Sequence, residues 1–460
     1  MTEQTTNEDL SLRSFTEPRP ARATRLAQGE AARIETPLSA HAELRLTPER
    51  DPLAILHGQE SVREAGLLPM RYERMAASPF AFLRGSAAVM AADLAAGPRT
   101  QIRAQLCGDA HVANFGMFAS PDRRLVFDLN DFDETLPGPF EWDVKRLAAS
   151  VAVAGRHVGV KPKKIRAATR ETVAAYRSTL AKLSLMSPLQ VWYARVDVDE
   201  LVQALKGTTL VNDAKRAGRA SARATGDVAV GKLTEVVDGH RRFRSNPPVL
   251  VPVDESEHEG LTQRVADLFS QYLATLPPDA VMLLLRYRYV GLAHKVVGVG
   301  SVGTRALVLL MVDGDDNHIV LQIKQANASV LESYVGASRI EHHGRRVVVG
   351  QRLMQATGDP LLGWTTGSAE APFDFFVRQL KDMKGSIDLE RLDSSDLATY
   401  GQICGAVLAR AHTRAGGATH ITGYLGQTEA FDHAVGEFAE AYADQTERDH
   451  AALVAELASH

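Results

Sequence analysis

The chain has 460 residues, of which 45% are hydrophobic, so it can bury a large core, and its length alone allows two or three domains. Its formal net charge of −4 favours neither nucleic acid nor a membrane surface as a partner, and its two cysteines exclude a disulfide framework and a zinc cluster. No apolar run approaches the roughly 20 residues of a spanning helix and no signal-peptide pattern is present, so we expect a soluble, cytoplasmic protein of undetermined oligomeric state.

The first 45 residues differ in composition from the rest. They are rich in Thr, Glu, Arg, Pro and Ala and contain few large apolar side chains. Such a segment cannot offset the entropy lost on ordering. The sequence therefore predicts a disordered or loosely held arm at residues 1–45.

Residues 50–95 have helical patterns around the motif SPFAFLRG. Ser78 is placed to cap a helix whose first residue is Pro79. Arg84, near the end of the motif, has two interpretations. It could pair with phosphate oxygens through its planar fork, or it could be a structural ion-pair partner.

The most informative stretch is LCGDAHVANFGMFASPDRRLVFDLNDFDETLPGPFEWD, at residues 106–143. It predicts a loop, a strand at 115–119, a turn, a second strand at 125–130 and an acidic loop closed by Pro and Gly. Its functional candidates are Asp109, His111, Asn114, Asp128, Asp131 and Asp133. Carboxylate and amide oxygens at the two ends of a hairpin suit a hard cation completed by a nucleotide phosphate, with one carboxylate left as a base. The alternative is a solvated acidic loop.

Two segments of this stretch resemble a known group of enzymes. CGDAHVAN is similar to the HGDxHxxN catalytic loop of aminoglycoside and choline phosphotransferases, which have the protein-kinase-like fold; Cys107 replaces the usual His. NDFDETLPGPFEWD is similar to their metal-binding Asp segment. With SPFAFLRG added, the whole chain resembles DUF2252, a bacterial family of unknown function.

The resemblance implies a role for each matching residue. Asp109 would be the catalytic base, in a loop shared with His111. Asn114 and Asp131 would hold Mg²⁺, assisted by Asp133 or Asp128. Asp143 would be the structural acid of the following helix.

The next part of the chain, from Asp143 to about residue 280, is predicted to be mostly helical. An alanine-rich helix is followed by a break at Pro162 and further helices. The Pro-rich and then acidic segment 246–259 is predicted to be a linker.

From residue 283 the pattern changes to strands, with a G-x-G-x-x-G motif at Gly298, Gly300 and Gly303 that includes Ser301. A dinucleotide fingerprint must open a helix, whereas RALVLLMV after this motif is aliphatic and strand-like. Strand, glycine turn and strand are typical of the kinase glycine-rich loop, whose backbone N–H groups approach phosphates. The alternative is an ordinary glycine-rich hairpin.

Lys324 ends the next predicted strand in LQIK, which resembles the V-A-I-K lysine that pairs with nucleotide phosphates. Glu332 is its candidate ion-pair partner, and Glu341 is a rival. Residues 346–354 (RVVVGQRLM) are predicted to form one more strand that leads to a hinge at 355–358.

Helices are predicted again after this hinge. YGQICGAVLARAHTRAG, at residues 400–416, resembles the helix that immediately precedes the catalytic loop in phosphotransferases of this fold. We expect the helix 399–414 to pack beside the hairpin. The final helix, 429–458, carries an apolar stripe that we expect in the core.

The order of these segments differs from that of ordinary kinases, because the catalytic loop precedes the glycine loop. We therefore expect an α+β, protein-kinase-like two-lobed fold that is circularly permuted, with a small antiparallel sheet lobe and a larger helical lobe. The helical lobe would comprise residues 46–280 and be completed by the helices of 357–460. The nucleotide-binding sheet lobe would comprise 281–356.

The function expected from these features is ATP-dependent phosphoryl transfer, with Mg²⁺, to an unidentified acceptor, presumed to be a small molecule. Lys324 would face Asp131 across a cleft. Three alternatives remain open, namely a nucleotidyl (AMP) transferase, a non-catalytic nucleotide-binding protein and a metal-dependent hydrolase that uses the acidic cluster alone.

Overall fold

The computed structural model describes residues 16–254, 256, 260–296, 302–367, 372–380 and 383–459, and it has a mixed α+β architecture. The α-helices are α1 (Arg22–Ala31), α2 (Pro52–His57), α3 (Leu68–Ala76), α4 (Pro79–Gly85), α5 (Ala87–Ala96), α6 (Glu141–His157), α7 (Pro162–Leu183), α8 (Pro188–Tyr193), α9 (Val198–Ala204), α10 (Leu210–Arg223), α11 (Gly226–Leu233), α12 (Leu261–Leu273), α13 (Pro278–Leu284), α14 (Glu332–Val335), α15 (His343–Met354), α16 (Ser394–Arg414), α17 (Ala418–Leu425) and α18 (Ala430–Ser459). The strands are β1 (Arg103–Leu106), β2 (Phe115–Ala119), β3 (Leu125–Leu129), β4 (Leu136–Pro139), β5 (Thr234–Val237), β6 (His240–Phe243), β7 (Leu250–Pro252), β8 (Arg288–Lys295), β9 (Ala306–Val312), β10 (His318–Ala326), β11 (Gly363–Thr366) and β12 (Asp374–Gln379).

The largest sheet is antiparallel and has six strands in the order β11-β12-β10-β9-β8-β7. Its aliphatic strands β9 and β10 are covered on both faces, which explains their nearly continuous apolar sequences. Helices α12 and α13 cover one face with Tyr272 and Leu284, while Val230 and Phe243 pack on the other. Smaller antiparallel pairs are formed by β1 with β4, β2 with β3 and β5 with β6.

The helical core is built mainly from α6, α7, α16 and α18. Close approach of α16 to α7 depends on Gly401 and Gly405, where an added Cβ would lie 2.3 Å from atoms of Thr172. The predicted final helix is confirmed, and its apolar stripe, which includes Phe431 and Val435, is buried. Among the described helices, none combines the length and apolar character needed to cross a bilayer.

The predicted start of α4 is also confirmed. Ser78 has an extended backbone, and its hydroxyl accepts a hydrogen bond from the N–H of Ala81 at 3.1 Å. Pro79 follows at the first helical position, where its missing N–H costs nothing. The helix ends after seven residues at Gly85.

The N-terminal segment differs from the predicted loose arm where it is described, from residue 16 onward. Helix α1 packs against α17, and Gly29 lies so close that an added Cβ would be 2.0 Å from the carbonyl oxygen of His420. His41 is fully buried, with its Nε2 2.7 Å from the hydroxyl of Tyr424. Composition alone failed here because tertiary contacts, rather than apolar content, stabilise this segment.

The predicted strand at residues 346–354 is wrong, because these residues belong to α15. The imidazole of His342 caps this helix by accepting a hydrogen bond from the N–H of Arg345 at 3.1 Å. Val347 and Val348 are buried, and the helix packs against strands of the large sheet. Packing therefore overrides the strand propensity of the valine run.

The boundaries of the sheet also differ from the predicted 281–356. Strand β7 lies in the segment 246–259 that was predicted to be a linker, and β11 and β12 lie in the region 357–460 that was predicted to be helical. The predicted hinge is tied to β3, since Gln355 donates to the carbonyl of Leu129 at 2.6 Å. These strands were missed because each is only three to six residues long.

Candidate active site

The loop between β1 and β2 is fixed by a carboxylate from the helix that follows the hairpin. Asp143, in the first turn of α6, accepts hydrogen bonds from the backbone N–H groups of Cys107 (2.7 Å) and Gly108 (3.0 Å). Gly108 has a φ of +85°, and an added Cβ would collide with the backbone of Glu134, so the position requires glycine. Asp143 thus fixes the backbone of the loop through both of its carboxylate oxygens.

A distant helix reaches the same carboxylate. His412 of α16 has its Nε2 3.2 Å from Asp143 Oδ2 and its Nδ1 2.8 Å from the hydroxyl of Tyr176. Tyr400 of α16 donates to a carbonyl of the loop at 3.1 Å. The predicted packing of helix 399–414 beside the hairpin is confirmed, although Asp143 and His412 lie 269 positions apart.

Asp109 projects from this loop with one carboxylate oxygen already engaged. Arg146 of α6 donates to Oδ1 from Nε at 2.9 Å and from Nη2 at 2.7 Å, and the same Nη2 donates to the carbonyl of Leu83 at 2.6 Å. The second oxygen, Oδ2, lies 3.6 Å from His111 Nε2, and 23% of the Asp109 side chain is exposed. The carboxylate is thus held in one orientation, with Oδ2 left to face a ligand.

His111 is buried beside Asp109. Burial lowers the pKa of His111 to about 4, and the charges of Arg146 and Arg84 act in the same direction, whereas Asp109 opposes them. The imidazole is therefore neutral at pH 7. Its Nδ1 has no hydrogen-bond partner within the described part of the chain.

Asn114 joins the loop to the acidic segment after β3. Its Nδ2 donates to the carbonyls of Asp109 (3.1 Å) and Asp131 (3.0 Å), and its Oδ1 accepts from the N–H of Asp131 at 2.8 Å. Cys107, in the position of the usual His, donates through Sγ to the same Asp131 carbonyl at 3.2 Å. The amide thus fixes Asp131 relative to Asp109, and its oxygen keeps a second lone pair.

Lys324 on β10 meets the acidic segment from the sheet. Its ammonium contacts Asp133 Oδ2 and lies 3.7 Å from Asp131 Oδ2, although Lys324 and Asp133 are 191 positions apart. The lysine side chain is buried, whereas 46% of the Asp131 side chain is exposed. Lys324 was expected to face Asp131 across a cleft; it instead contacts the acidic segment directly.

The two carboxyls of this cluster have opposite pKa shifts. Although nearly half of the Asp131 side chain is exposed, the surrounding protein excludes part of its water and pushes its pKa upward, but the charges of Lys324, Arg378 and Lys384 outweigh this effect and hold the pKa below its usual range. Burial and the charge of Asp131 raise the pKa of Asp133. Lys324 has a raised pKa, because the two carboxylates outweigh the effect of its own burial. The surroundings thus favour the charged forms of Asp131 and Lys324 and disfavour ionisation of Asp133.

A family model matches most of the chain. Residues 63–456 match the family described as "Uncharacterized protein conserved in bacteria (DUF2252)". The chain belongs to the DUF2252 family. No curated protein and no solved structure shows significant similarity to it. The matched region of this DUF2252 protein contains the loop of Asp109, the acidic segment and Lys324.

Two predicted site residues of the DUF2252 protein have other contacts. Asp128 is buried within β3, where its Oδ1 accepts from the guanidinium of Arg410 and its Oδ2 from the N–H of Ala356 at 3.0 Å. Glu332 accepts from the N–H of Ser329 at 3.1 Å and lies 3.9 Å from Arg346. Both oxygens of Asp128 thus accept hydrogen bonds within the protein, which indicates a structural role, and Glu332 contacts Arg346 rather than Lys324.

The glycine motif is only partly described. Gly298, Gly300 and Ser301 lie outside the described residues. Gly303 has a φ of +89°, and its carbonyl accepts from the N–H of Glu64 at 2.7 Å. Arg63 donates to the carbonyl of Val302 at 2.6 Å. The end of the motif is thus anchored to the segment before α3.

Three site residues were missed by sequence reasoning, namely Arg146, Glu134 and Arg346. Arg146 lies three positions after Asp143 in a predicted helix, a spacing that places both on one face and could have revealed it. Glu134 directly follows Asp133. Burial raises the pKa of Glu134 to about 7, although the N–H of Val330 and Arg346 favour its charged form. Arg346 was hidden by the incorrect strand prediction.

The structural role of Asp128 can be tested by stability. Asp128→Ala leaves the buried guanidinium of Arg410 without its carboxylate, so we expect the free energy of unfolding to fall by roughly 3–5 kcal/mol. Asp122→Ala is the matched control, since its ion pair with Arg195 is at the surface, where solvent screening leaves such a pair little effect on stability. Urea unfolding of both variants measures the difference. Equal stability of the two variants would contradict the assignment.

Proposed function

We propose that this DUF2252 protein is an ATP-dependent phosphotransferase with a circularly permuted protein-kinase-like fold. The observation that carries the proposal is the contact between Lys324 of the sheet and the acidic pair Asp131 and Asp133. Phosphoryl transfer requires a cation for the phosphates, carboxylates for a metal and a separate base. The cluster and Asp109 provide these three groups.

The order of the elements supports the permutation. The sheet that carries Lys324 follows the loop of Asp109 in sequence, and α16, which resembles the helix preceding that loop in other phosphotransferases, lies near the end of the chain. Even so, α16 packs beside the loop through His412 and Tyr400. Permutation is tolerated when a site is assembled in space from both parts of a fold.

The donor set fits Mg²⁺. Mg²⁺ is usually bound by one or two carboxylates together with substrate phosphates and waters. Asp131 and Asp133 supply two carboxylates, and the described residues contain no group of three or more His, Cys, Asp or Glu side chains that would form a cage of protein ligands. When bound, Mg²⁺ would supply charge neutralisation for the phosphates.

Each residue of the site would then have a separate role that follows from its position. Lys324 would bind the nucleotide phosphates as a point charge, and the end of the glycine motif at Gly303 would lie along the nucleotide. Asp109 would accept the proton of the acceptor hydroxyl through Oδ2, while Arg146 holds Oδ1. Catalysis would come mostly from positioning and charge stabilisation.

Binding and product analysis test the proposal. Calorimetry should detect Mg·ATP binding in the micromolar to millimolar range, followed by transfer of the γ-phosphate in a metabolite screen. Product mass separates phosphate from AMP transfer, and binding without any transfer would favour a nucleotide sensor. If the wild-type protein does not bind Mg·ATP, the proposed function is wrong.

A further inference from the structure

Arg84 is a half-buried cation beside the candidate base that lacks a full set of partners. Its Nε is buried and has no hydrogen-bond partner among the described residues. Its guanidinium lies 5.9 Å from the centre of the Phe80 ring. A buried N–H donor without a hydrogen-bond partner costs free energy. A ligand that accepted a hydrogen bond from Nε would remove this cost.

The backbone around Arg84 is held rigidly by two other arginines. Arg146 donates to the carbonyl of Leu83 at 2.6 Å, and the buried Arg71 donates to the carbonyl of Gly85 at 3.3 Å. Both bonds fall in the last turn of α4. The backbone that carries Arg84 is therefore fixed on both sides of this residue.

The carboxylate whose charge acts on Arg84 is already engaged elsewhere. Burial lowers the pKa of Arg84, and Asp109 is the carboxylate that opposes this effect. That carboxylate already accepts two hydrogen bonds from Arg146. Asp109 thus acts on Arg84 only through its charge, while its hydrogen bonds go to Arg146, and the neighbouring His111 has an unpartnered Nδ1 in the described structure. An anion bound beside Arg84 would therefore find a guanidinium whose nearest carboxylate is already engaged.

We propose that Arg84 binds an oxyanion carried by the acceptor, so that the acceptor is an anionic hydroxyl compound bearing a phosphate or a carboxylate. The guanidinium fork matches both groups bidentately. The anion is assigned to the acceptor rather than to the nucleotide, because Lys324 and its acidic partners form a separate cluster. This inference rests on the proposed phosphotransferase function.

Anion binding to the full-length protein tests the inference. In the presence of Mg²⁺ and ADP, inorganic phosphate and acetate are titrated separately by calorimetry, and the stronger binder identifies the preferred group. We expect at least one to bind wild type and to bind Arg84→Gln about ten-fold or more weakly, since a charge-assisted hydrogen bond is lost. Arg84→Lys should retain part of the affinity, because it keeps the charge without the fork.

Arg219→Gln is the matched control, since Arg219 is exposed on α10, and it should bind like wild type. If neither anion binds wild type, or if Arg84→Gln binds both as wild type does, the inference is wrong. An equal loss of Mg·ATP affinity in Arg84→Gln would also overturn it, since Arg84 would then serve the nucleotide. Failure of the proposed function is distinguishable, because it appears as a wild-type protein that does not bind Mg·ATP.

Discussion

Asp109→Asn is expected to leave Mg·ATP binding unchanged and to reduce turnover by about 10²–10⁴-fold, the range typical of general-base assistance. The amide keeps the shape of the carboxylate, and its oxygen can still accept from Arg146. It cannot take the proton of the acceptor. Turnover is measured with the acceptor found in the phosphate-incorporation screen, and nucleotide affinity by calorimetry.

Asp122→Asn is the control for this substitution, because Asp122 is a surface carboxylate paired with Arg195. It should retain wild-type turnover. Urea unfolding of Asp109→Asn establishes that the loop still folds. Wild-type turnover in Asp109→Asn would place the base elsewhere.

Lys324→Met is the second variant with a large expected effect. It removes the ammonium that contacts the acidic pair and that we propose binds the nucleotide phosphates, so Mg·ATP affinity should fall on the order of 10–100-fold. Methionine preserves much of the apolar stem that is buried in the sheet. Lys215→Met, on an exposed face of α10, should bind Mg·ATP as wild type does.

The same variant separates two classes of function. A metal-dependent hydrolase that used the acidic segment alone would keep its activity without Lys324. A phosphotransferase would lose both nucleotide affinity and transfer. Unchanged nucleotide binding in Lys324→Met would show that the lysine is only a structural counter-ion of Asp131 and Asp133.

Local patterns predicted much of the hairpin and its surroundings. Strands β2 and β3 begin at the predicted residues, and the cap of α4 by Ser78 follows from the motif itself. Each of these features depends on residues close together in sequence. The family membership rests on the same short motifs and is borne out by the family model.

The errors lie where distant contacts decide the structure. Residues 346–354 form a helix that buries Val347 and Val348 and packs against strands of the large sheet. Asp128 was indistinguishable from Asp131 and Asp133 in sequence, and its role is set by Arg410, 282 positions away. The pairing of Arg146 with Asp109 likewise depends on how α6 meets the loop, which no local pattern specifies.

The contact between Asp143 and His412 has a consequence for how the protein is made. The loop of Asp109 leaves the ribosome long before α16, because 269 residues separate the two partners. At a synthesis rate of about 5–20 residues per second, His412 is added on the order of 15–50 s after Asp143. During synthesis the loop therefore remains without this contact, and a chain that ended between residues 143 and 394 would carry Asp109, Asp131 and Asp133 but lack the helix that supplies His412 and Tyr400.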